Sequence, residues 1–150
     1  MIDPTAVSAP LRLQLDNFTD NLWGGDWIPR MKGIPIPDAP VGESWEFSAH
    51  PNRPSLVTVG SRVIPLSELL ADAPKAVFGE RLNARLSGRA PFLLKFIDSR
   101  DDLSVQVHPS DEQARAHGAD AGKPESWLIL DTGEAEGEGF IYVGFNPLKS

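Results

Sequence analysis

The heptad "LSVQVHP", residues 103–109, sets a hydroxyl, an amide and an imidazole at alternate positions: Ser104, Gln106 and His108. Side chains alternate across an extended chain, so these three share one face and Leu103, Val105 and Val107 the other. Further on, "GKPES" brings Lys123 and Glu125 to the start of another apolar run. An imidazole, an amide oxygen and a carboxylate together form a mixed nitrogen–oxygen shell suited to zinc. Catalytic zinc sites use three protein ligands and leave a position for water or substrate. Lys95 adds a cation inside the otherwise apolar "PFLLKFID", where an ammonium needs an anion or an outlet to solvent. The same residues also suit a strand with one wet face, a snorkelling lysine and a charged turn.

Those side chains need rigid mounts. "LRLQLD" alternates and predicts a first strand, with further short strands at "ESWEFS", "SLVTVG" and "SRVI". The stretch "NLWGGDWIPRMKGIPIPDAPVG" reads as loop, from its paired glycines and four prolines. Residues 65–88 change to apolar spacings of three and four, which predicts one or two short helices broken near Pro74 and closed by Gly88. "PFLLKFID" predicts a strand buried on both faces, and "LSVQVHP" a strand ended by Pro109. Ser110 and Gln113 form a capping box for a helix that Gly118 stops. "ESWLILD" and "GFIYVGF" predict two more strands, joined by the acidic, glycine-rich loop "TGEAEGEG".

Composition narrows the function classes. A chain of 150 residues suits one domain, and 14 prolines with 13 glycines favour short elements and turns over a helical bundle. The expected fold class is all-β: a β-sandwich or barrel with a small helical insert. A net charge of −7 with no basic block argues against nucleic acid as a partner. With no cysteine there is neither a disulfide framework nor a thiolate metal site. No membrane-length apolar run and no signal core occur, so the expectation is a cytoplasmic protein that does not bind membrane.

The motifs "WGG", "GESWEFS", "PFLLKFID", "LSVQVHP", "GKPESW" and "FIYVGF" occur here in an order and spacing that resemble type I mannose-6-phosphate isomerases. The resemblance runs from about Leu15 to Phe145. "QVHP" after "LLKFID", followed by "GKPE", is its most specific part. It implies a cupin-like jelly-roll β-sandwich, one zinc ion per chain and a small phosphosugar substrate. Residue by residue, it implies Gln106, His108 and Glu125 as zinc ligands, Lys95 and Ser104 as substrate-binding residues with Lys95 on the phosphate, and Lys123 as a catalytic lysine.

The implied reaction interconverts mannose 6-phosphate and fructose 6-phosphate through an enediol-type intermediate. The family's fourth ligand, a histidine, falls beyond residue 150. Residues 1–150 therefore resemble the N-terminal catalytic cupin region of a longer isomerase, expected to be inactive alone. The other histidines do not suit the missing place: His50 reads as a turn residue and His117 as solvent-facing on the short helix. A non-catalytic sugar-phosphate-binding or regulatory cupin module is the alternative.

Overall fold

The computed structural model describes residue 2 and residues 4–119, 121–133 and 139–144. The chain forms two compact units, the first ending at Ser104 and the second starting at Val105.

In the first unit, β1 (Arg12–Leu13), β4 (Leu56–Val59) and β5 (Arg62–Pro65) make one antiparallel sheet in the order β1-β4-β5. A second antiparallel sheet has the order β2-β3-β6, from β2 (Phe18–Gly25), β3 (Val41–Phe47) and β6 (Leu94–Ile97). The predicted helical stretch is two helices, α2 (Leu66–Asp72) and α3 (Pro74–Leu86). Pro74 starts the second, at a position where a helix needs no backbone donor. The core lies here: Val57, Val59 and Ile64 of the first sheet pack with Leu66, Leu69 and Leu70 of α2.

The segment read as loop over 21–42 holds more structure than that. It contains the end of β2 and a helix, α1 (Trp27–Lys32), closed by Gly33 in the left-handed conformation. Pro29 is tolerated because it sits in the first turn, whose N–H groups have no helical acceptor. The glycines of "WGG" serve close approach. A Cβ on Gly24 would lie 2.4 Å from the backbone nitrogen of Gly42, and one on Gly25 would lie 2.5 Å from the Asp98 carboxylate. That carboxylate accepts the Trp27 N–H at 2.7 Å, tying the end of β6 to the start of α1. Nearby, hydrogen bonding and charge from Arg30, with further help from Arg100, hold the Asp26 carboxyl below its ordinary range.

Period-two alternation along β3 gives the second sheet two different faces. Ser44 lies opposite both Phe18 and Phe96. On that face the ammonium of Lys32 donates to Glu46 at 2.5 Å, to Ser44 Oγ at 2.7 Å and to the Leu15 carbonyl at 2.6 Å. It also lies 5.4 Å from the Phe18 ring centre and 5.9 Å from that of Phe96. The Lys32 side chain is only 6% exposed, so this set of partners is what makes its charge tolerable. Glu43 and Trp45 alternate onto the opposite face.

β6 is an edge strand and is not buried on both faces: Leu94 is exposed and Lys95, Phe96 and Ile97 are half-buried. An apolar run shows that burial is affordable, while the position in the sheet decides how many layers cover it.

In the second unit the capping box forms as predicted. Ser110 Oγ accepts the Gln113 N–H, and Gln113 Oε1 accepts the Ser110 N–H, at the start of α4 (Asp111–Ala116). The three strands expected here are corrected. Residues 103–109, 125–131 and 139–144 join no β ladder among the described residues. Alternation or an apolar run states which side chains could share a face, but a strand exists only when a second segment accepts its hydrogen bonds. Phe145 and residues 134–138 of the acidic loop lie outside the described residues. Among the described residues, no helix is long and apolar enough to cross a membrane.

Candidate metal centre

The "GKPE" segment is folded back onto the chain that carries His108. The Lys123 N–H donates to the Pro109 carbonyl at 3.1 Å. The Gly122 N–H donates to Asp111 Oδ1 at 2.8 Å. Glycine is required at 122, because a Cβ there would lie 2.5 Å from the Pro109 carbonyl oxygen and 2.7 Å from the Asp111 nitrogen. This close approach sets Lys123 and Glu125 beside His108.

The side chains then meet in pairs. Glu125 Oε2 lies 3.2 Å from His108 Nδ1, Gln106 Oε1 lies 3.3 Å from His108 Nε2, and Lys123 Nζ lies 3.6 Å from Glu125 Oε1. The donor set of amide oxygen, imidazole nitrogen and carboxylate oxygen suits zinc. Gln106 and Glu125 meet different nitrogens of the ring. A shared ion on Nε2 therefore requires the Glu125 carboxylate to leave Nδ1. No cluster of three or more His, Cys, Asp or Glu side chains able to hold a metal occurs among the described residues. Here the third member is an amide, Gln106.

Replacing Gly122 with alanine should push "GKPE" away from Pro109 and weaken zinc binding by about tenfold or more, the scale on which supporting contacts act at metal sites. Zinc titration with a competing chelator checks this, and unchanged affinity would disconnect the turn from the site.

Lys95 and Ser104 belong to the first unit. The anion that Lys95 finds is Glu43, whose Oε1 lies 2.7 Å from its ammonium. Sequence reasoning missed Glu43. The available signal was a carboxylate alternating with Trp45 inside a strand that is buried at Val41, Gly42 and Ser44. His50 is engaged locally: Nδ1 accepts the Asn52 N–H at 3.3 Å and the ring meets Trp45 edge-on. His117 caps the end of α4 and is exposed.

Residues 11–127 match the family model for the catalytic domain of type I phosphomannose isomerase. The chain belongs to this family. As a type I phosphomannose isomerase sequence, it is 38% identical over 129 residues to the mannose-6-phosphate isomerase of Streptococcus mutans, covering 85% of this chain and 39% of that protein. Its fold is similar to the crystal structure of mannose 6-phosphate isomerase from Bacillus subtilis. There the TM-score is 0.65 at 32% identity, over 77% of this chain and 35% of that one. It is also similar to the Salmonella typhimurium mannose 6-phosphate isomerase bound to fructose 6-phosphate and zinc. That match has a TM-score of 0.57 at 28% identity, over 72% of this chain and 28% of that one. The chain thus spans about two fifths or less of the length of the phosphomannose isomerases it matches.

Proposed function

We propose that residues 1–150 are the N-terminal part of the catalytic cupin of a cytoplasmic, zinc-dependent aldose–ketose isomerase that interconverts mannose 6-phosphate and fructose 6-phosphate. The observation that carries this reading is the grouping of Gln106, His108, Glu125 and Lys123 in a chain of this family. The jelly roll is completed by sequence from the longer protein. The exposure of Val105, Leu128, Tyr142 and Val143, each more than 80% accessible, supports this, since an uncovered apolar run calls for a partner layer.

In this reading Gln106, His108 and Glu125 hold the ion. Zinc, when bound, supplies a Lewis acid that stabilises oxygen charge as the carbonyl moves between C1 and C2. Lys95 and Ser104 bind the phosphate, so that binding energy from the remote end of the sugar aligns C1 and C2. Lys123 places a cation beside Glu125 at the reacting end and assists proton transfer to or from substrate oxygen.

The test is turnover of mannose 6-phosphate by the zinc-loaded full-length protein in a coupled assay. Phosphosugar binding without turnover would favour a non-catalytic module. A second expectation concerns Lys95→Met, which keeps length while removing charge. It should raise KM for mannose 6-phosphate by about 10- to 100-fold, the value of a charged hydrogen bond. KM for unphosphorylated mannose should change little. Equal rises for both sugars would remove Lys95 from the phosphate.

A further inference from the structure

We infer that Glu43 is a positioning residue that holds the Lys95 ammonium in place for the substrate's phosphate. The inference rests on the reading of Lys95 as a phosphate contact and adds a residue to it. β3 and β6 set the geometry. Lys95 lies opposite Trp45, and Glu43 lies opposite Ile97, so Glu43 and Lys95 are diagonal neighbours on one sheet face. The carboxylate is tied at both ends. Oε1 accepts from Lys95 Nζ at 2.7 Å, and Oε2 accepts from Trp45 Nε1 at 2.7 Å. Both charged side chains are mostly buried, at 20% and 17% exposure.

A lysine side chain has four flexible bonds, and its entropy must be lost when it binds an anion. The Trp45–Glu43 tie removes much of that freedom beforehand. The bond to Glu43 uses one of three ammonium donors and leaves donors to meet phosphate oxygens. The carboxylate also repels the incoming anion, so electrostatics and positioning predict opposite signs when it is removed. Positioning predicts weaker phosphate binding, and repulsion alone predicts tighter binding.

Glu43→Gln decides the sign. Its amide cannot accept from both Lys95 and Trp45, because one of its two ends is a donor. In the zinc-loaded full-length protein, KM for mannose 6-phosphate and the inhibition constant of inorganic phosphate should both rise by about tenfold, with a much smaller change in kcat. Glu43→Asp should recover part of the loss. Trp45→Phe, which removes one tie and leaves the charge pair, should show a smaller rise, and it serves as the second variant if Glu43→Gln does not fold. In the Lys95→Met background, Glu43→Gln should add less than about twofold, because the two residues act as a unit. Unchanged or tighter phosphate binding in Glu43→Gln overturns the inference, as does full additivity in the double variant. If Lys95→Met itself shows no selectivity for phosphorylated sugar, the phosphate reading of Lys95 fails first and this inference falls with it.

Discussion

On the proposed reading, replacing His108 with alanine in the full-length protein should lower its zinc content from about one ion per chain to background, with turnover of mannose 6-phosphate lost in parallel. The imidazole is the one nitrogen donor in the proposed set, and it stands between the other two members: Gln106 on Nε2, Glu125 on Nδ1. Without it, residues 1–150 offer only an amide oxygen and a carboxylate, a weaker set for zinc than one that holds an imidazole. Supporting residues around metal sites are worth 10- to 100-fold in affinity, so loss of a direct ligand should exceed about 100-fold. Elemental analysis by mass spectrometry and chelator competition measure this. His117→Ala and His50→Ala provide the comparison. The first residue is exposed at the end of α4, and the second is held by Asn52 and Trp45. Both variants should keep full zinc content. Zinc retained in His108→Ala and lost in either of the others would move the centre.

The second large effect is on stability. Lys32→Met should destabilise the first unit by about 3–5 kcal/mol, the usual result of removing one partner from a buried pair. The variant leaves the Glu46 carboxylate, the Ser44 hydroxyl and the Leu15 carbonyl without the donor they share. Ser44 is fully buried, so solvent does not replace that bond. A loss of this size is a large fraction of a domain's total stability. Urea unfolding followed by tryptophan fluorescence reads it. Pairing Lys32→Met with Glu46→Met should recover much of the loss, since the cost lies in the orphaned charge more than in the missing attraction. A single variant within about 1 kcal/mol of the parent would show that the buried cluster contributes little.

Different parts of this protein became legible at different ranges along the chain. The capping box at Ser110 and Gln113 could be read from sequence because its partners are three residues apart, where local backbone geometry alone brings them together. The split of α2 from α3 at Pro74 was legible for the same reason. Gln106 and His108 are two residues apart, and their side chains meet. The type and spacing of the metal candidates, with the family motifs around them, therefore determined which chemistry to look for.

Tertiary structure decided the rest. Glu43 and Lys95 are 52 residues apart, and only the register of β3 on β6 makes them neighbours. Lys32 reaches Glu46 and Ser44 because α1 packs against one particular face of the second sheet. The stretch around "WGG" read as loop by composition, yet its glycines admit the Gly42 backbone and the Asp98 carboxylate. Residues 103–109 alternate as a strand would but join no ladder among the described residues. Alternation is a property of one segment, whereas a strand needs backbone donors and acceptors from a second one, and no single segment can specify where that second one lies.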